Sequence, residues 1–150
     1  MATQYTAGLT TGQVLTAATM NSIGAVAENW TPVVTQPGTI ASTITFATYQ
    51  RIQKMVVVNF RISITGTGTA NNALNVTLPI AAKNTLGVAG LGAIYYAAAG
   101  AVYNGFGFLS TSTLVSFAGD WANTGVWGTQ PSLGITSGSV IWGNFTYEAA

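Results

Sequence analysis

Neither cysteine nor histidine occurs in this 150-residue chain. Their absence removes disulfides, thiol nucleophiles, imidazole bases and the usual zinc and haem ligands. Stability must therefore come from packing. Charge is almost as scarce: 5% of residues are charged against 49% hydrophobic, where soluble domains carry about 25% charged residues. So few charges protect a monomer poorly against self-association, and burial of much of the surface against other subunits resolves the difficulty. A formal net charge of +1 offers no footprint for nucleic acid or an anionic membrane. No apolar run approaches the ~20 residues that span a bilayer, because glycine and threonine interrupt every hydrophobic stretch. The opening M-A-T-Q-Y-T-A-G has neither a basic nor an apolar region of the kind a secretory signal needs. The three acids, Glu28, Asp120 and Glu148, are far apart in sequence. They suggest neither a glycosidase pair nor a metal site. No histidine is present to activate a serine or threonine, and no S-x-x-K pattern occurs. The expectation is a non-enzymatic protein with no cofactor.

What is present is mostly β. From Val56 the even positions Val56, Val58, Phe60, Ile62 and Ile64 are apolar, while Val57, Asn59, Arg61 and Ser63 lie between them. Period-two alternation rich in β-branched residues predicts a strand with one core face. The upstream run through Ile44, Phe46 and Tyr49 alternates too. Only Gln53-Lys54 separates the two runs, so an antiparallel hairpin is expected there. Strands are expected over 32–35, 42–52, 55–65, 73–78, 87–96, 101–109, 113–118 and 139–148. Gly66-Thr67-Gly68 lacks the helix and lysine of a phosphate loop and reads as a hairpin turn. Short strands at this spacing predict an antiparallel β-sandwich or a jelly-roll-like domain.

The first 29 residues read differently. Residues 1–13 are extended and polar, with Tyr5 and Leu9 as isolated anchors; this is either a frayed end or an arm lying on a neighbour. Residues 15–30 predict one short helix. Thr16 is its N-cap, Leu15 staples Met20, and Met20, Ile23, Ala27 and Trp30 recur on one face. A helix this short needs docking, on its own domain or on another protein. The division is thus 1–29, an attachment segment carrying Tyr5, Leu9, Leu15, Met20 and Ile23, and 30–150, the β-domain. Within the latter, Tyr95, Tyr96, Tyr103, Phe106 and Phe108 alternate with glycine and alanine as an aromatic layer. Such a layer serves a core or a subunit interface, or one on each face. Trp121 and Trp127 flank Asn123 beside Asp120, a combination suited to holding a sugar ring and equally to a lid on a barrel end.

Several segments carry a resemblance. W-T-P-V-V at Trp30, Y-Q-R-I-Q-K-M-V-V-V at Tyr49, the glycine-rich turn at Gly66, and V-T-L-P at Val76 together resemble a β-domain of bacteriophage virion surface proteins. T-G-Q-V-L-T-A-A-T-M-N-S-I and F-T-Y-E-A-A are similar to small proteins of virion gene clusters. Together these segments cover about half the chain. Gln53 departs from the family pattern, standing where glycine is usual in a turn that needs positive φ. The resemblance implies a virion surface location, with assembly in the host cytoplasm. The leading expectation is a capsid decoration protein bound to the major capsid protein, a homotrimer on the ground of the scarce charge and the glycine–aromatic strands. The alternative is a minor tail or tail-fibre protein that binds a host glycan. A free lectin is a third class. Neither nucleic acid nor membrane is an expected partner.

Overall fold

The computed structural model describes residues 26–85, 87–119 and 125–150, all within one antiparallel sheet and its connections. Eleven strands follow in chain order: β1 (Glu28–Asn29), β2 (Val34–Thr35), β3 (Thr39–Ile40), β4 (Ser42–Ile52), β5 (Met55–Ile64), β6 (Asn75–Thr77), β7 (Val88–Tyr96), β8 (Ala101–Leu109), β9 (Leu114–Gly119), β10 (Gly125–Val126) and β11 (Val140–Glu148). The spatial order is β1-β4-β5-β11-β7-β8-β9-β6-β2-β3, with β10 on β9. Single residue Ala41 joins β3 to β4, although the two lie near opposite ends of this order. The sheet is therefore curled into a half-barrel around its own core.

The β4–β5 hairpin forms where the alternation places it. Its register runs from Ser42↔Ile64 to Ile52↔Met55 across a two-residue turn. Gln53 occupies that turn with φ of 56°, the left-handed region that glycine adopts without cost. On β5 the even residues are buried and Arg61 is exposed. A bulge between Ile44 and Phe46 breaks the register of β4. Ile44 packs on the core, but Phe46, expected on the same side, turns outward and is 47% exposed. A bulge reverses facing because one extra residue shifts the period-two pattern.

The core is strung on aromatic rings. Trp30 meets Phe60 edge-on at 6.2 Å, Phe60 meets Phe145 at 5.6 Å, and Phe145 meets Phe117 at 6.1 Å. Three strand glycines make room for these rings. A Cβ at Gly92 would strike Phe117, one at Gly107 would strike Phe145, and one at Gly143 would strike both Phe60 and Phe145. At these three glycines the close approach is by the chain's own phenylalanines, whereas a Cβ at Gly90 or Gly105 would strike the backbone of Asn144 or Ala118. At the far end Gln36, buried just after β2, uses its whole amide. Its Nε2 donates to the carbonyls of Asn72 (2.9 Å) and Leu133 (2.7 Å), and its Oε1 accepts from Ile135 N–H (2.8 Å). One side chain thereby ties three loops together.

The expected helix needs correction at its C-terminal end. Among the described residues there is no helix, and Glu28–Asn29 form a strand. Glu28 pairs with Tyr49, whose hydroxyl donates to the Glu28 carboxylate at 2.6 Å, and Trp30 N–H donates to the Ala47 carbonyl. Sheet hydrogen bonds and the Trp30–Phe60 contact override a weak helical periodicity there. Residues 15–25 lie outside the described residues.

Candidate binding face and attachment end

Two regions of the molecule gather residues that packing does not explain. The first is the outer face of β4, β5, β11, β7 and β8, opposite the core. Cross-strand pairing lines up two rows of side chains there. One row runs Phe46, Arg61, Trp142, Ala93, Asn104; the next runs Thr48, Asn59, Asn144, Leu91, Phe106. The order follows from period two on each strand and from the insertion of β11 between β5 and β7. Between Trp142 and Asn104 stands only the small Ala93, and a trough of about 440 Å³ opens there, with Gly92, Gly105 and Gly143 in its lining. Leu91 is 76% and Phe106 40% exposed beside it. Asn144 Nδ2 donates to Asn59 Oδ1 at 2.6 Å. The Arg61 guanidinium lies 5.8 Å from the centre of the Trp142 ring, a cation–π arrangement on the β5 side of the indole.

The second region is the end of the molecule at the β4–β5 turn. Glu148 pairs with Met55, Ala149 N–H donates to the Lys54 carbonyl, and Lys83 Nζ meets Glu148 Oε1 at 2.8 Å. Arg51 Nε donates to the Gln53 carbonyl, and Glu28 sits opposite Tyr49. Six charged residues lie among the described residues, and all but Arg61 are here. Ile52 and Met55, each 45% exposed, share this end. The local electrostatics follow from these contacts. The Lys83 ammonium holds the Glu148 carboxyl below its ordinary value. Accepting a hydrogen bond from Tyr49, Glu28 raises that phenol's pKa. Burial pushes Tyr147 up to about 12, its hydroxyl donating to the Ile80 carbonyl.

The residues singled out in the sequence fall in different places. Tyr5, Leu9, Leu15, Met20, Ile23, Trp121, Asp120 and Asn123 lie outside the described residues. Trp127 is fully buried and packs edge-on against Tyr96 at 5.5 Å; Tyr96 in turn meets Tyr103 at 6.4 Å. These three close one end of the core, so Trp127 acts as a lid and has no indole face for a sugar. Tyr95, one residue from Tyr96, faces outward with Phe106 and Phe108, so the aromatic layer divides between the two faces. Trp142, Asn104 and Asn144 were not singled out. Alternation along β8 and β11 signals which way they face, but their adjacency to Asn59 depends on strand order. Among the described residues no three histidines, cysteines or acids come together as a metal site, and no helix is long and apolar enough to cross a membrane. Compared with family models, curated proteins and solved structures, the chain has no significant match.

Proposed function

We propose that this chain is a non-enzymatic virion surface protein of a bacteriophage, acting as a homotrimeric capsid decoration protein that binds the outer shell and stabilises it. The observation that carries the attachment side of this reading is a convergence at one end. The chain enters the sheet at Glu28, three residues short of the turn on the paired strand, where Ile52 and Met55 are exposed and the charges cluster. In this reading a shell partner docks at this end, on exposed apolar and charged groups together. The low charge content supports self-association, because a surface with few like charges has little to oppose it. In this reading the curled sheet serves as a β-sandwich, with Phe60, Phe145 and Phe117 as the rings between its layers.

Copy number tests the reading directly. Gel densitometry of purified particles is expected to give hundreds of copies per particle; absence from particles overturns it. Deleting 1–29 is expected to leave a folded β oligomer that no longer decorates particles lacking the protein. If the truncated chain still binds, attachment resides in the β-domain. The tail-protein reading, expected to give a handful of copies per particle, is favoured by one feature, the outer trough.

A further inference from the structure

We infer that the outer trough is a saccharide site, and that its ligand is a neutral oligosaccharide lying across the strands. The lining combines the two kinds of group that sugars require. Trp142 offers an aromatic surface: Arg61 covers the indole from β5, but on the β7 side the next residue in the row is Ala93, too small to cover it. Three carboxamides surround this surface. Asn59 and Asn144 bond to each other through one donor and one acceptor, leaving the remaining donors of Asn59 and the carbonyl of Asn144 unused by that bond. Asn104, across Ala93 from Trp142, is exposed, and its amide has no partner among the described residues. Carboxamides both donate and accept, which matches hydroxyl groups that do the same.

Charge decides between sugars. The lining holds no ionisable side chain, and the neighbouring Arg61 guanidinium lies over the Trp142 ring, 5.8 Å from its centre. A sialylated or sulfated glycan would meet one cation, Arg61, at the edge of the trough and none in its lining, whereas a neutral chain needs none. Size agrees as well. The volume falls within the range of small-ligand sites. Crossing five strands at their normal spacing gives a length of roughly 19 Å, enough for several linked sugar rings and longer than one. Phe46 and Leu91 border the trough with further apolar surface. The inference is independent of location on a particle, and copy number does not test it.

The test uses the full chain on a printed array of neutral, sialylated and sulfated oligosaccharides, with calorimetric titration of the strongest neutral one. Binding to at least one neutral oligosaccharide is expected. Trp142→Ala should weaken it roughly tenfold, the scale of one aromatic contact. Asn104→Ala should weaken it by a smaller factor, and because Asn104 is exposed this variant should melt with the parent. Binding of acidic glycans alone, binding of none, or binding of a neutral glycan unchanged in both variants overturns the assignment. Sedimentation of Leu91→Asp adds an independent check: if the parent binds no sugar and this variant dissociates an oligomer, the face lies between copies of the chain.

Discussion

The inner and outer faces of β5, β11, β7 and β8 belong to the same backbone and obey different constraints. Inward, Phe60, Phe145 and Ile94 are fully packed, and glycines at 92, 107 and 143 give up their side chains to make room for rings. Outward, Arg61, Trp142, Ala93 and Asn104 stand beside one another with space left open. A substitution inside is therefore felt as volume, and one outside as recognition or association.

The largest effect is expected at Phe60. Phe60→Ala removes a ring that touches both Trp30 and Phe145 and should cost about 3–5 kcal/mol in denaturant melts. A loss no greater than that of an outer-face variant would break the comparison. Buried and exposed amides extend it to polar groups. Gln36→Ala strands the Asn72 and Leu133 carbonyls and the Ile135 N–H, and should cost about 3 kcal/mol. Asn104→Ala strands nothing among the described residues and should stay within about 0.5 kcal/mol. Gly107→Ala adds one methyl against the Phe145 ring and should cost about 1–3 kcal/mol as overpacking. A neutral result would mean that Phe145 has room to move.

Tyr147 makes the comparison depend on pH. Its folded pKa of about 12 exceeds the ordinary phenol value of 10.0. The folded chain therefore keeps a proton that the unfolded chain releases. The resulting stability is complete below the ordinary value and is lost as pH rises through the folded one. Melts across this alkaline window should fall more steeply for the parent than for Tyr147→Phe. Parallel curves would place the phenol in contact with solvent. A small effect is also expected at Arg61, where Arg61→Ala should cost under ~1 kcal/mol in the same melts as Phe60→Ala, because its side chain is exposed. A larger loss would show that the Arg61–Trp142 contact supports the fold.

Much of the strand pattern was legible in advance. The expected spans 42–52 and 101–109 coincide with β4 and β8 residue for residue. Alternation there is set by one strand's own contacts with core and solvent, and a local pattern records it. The two-residue strands β1, β3 and β10 were missed because they are too short for a period to appear. Gln53 was legible as a departure from glycine, and its positive φ agrees. Phe46 and the helical reading of 26–30 failed for a shared reason: a bulge and an edge pairing are decided by a neighbouring strand, which the local sequence does not contain.

The candidate site divides in the same way. The sequence by itself determined the absence of thiol and imidazole chemistry, the scarcity of charge, the central hairpin and the inward direction of Phe60, because composition and period two are properties of the chain alone. Only the tertiary structure decided that Trp127 closes the core, that five charged residues meet at one end, and that Trp142, Asn59, Asn144 and Asn104 surround one trough. Asn59 and Asn144 are 85 residues apart in the chain. They meet because β11 returns to lie between β5 and β7, a pairing set by the packing of the whole sheet.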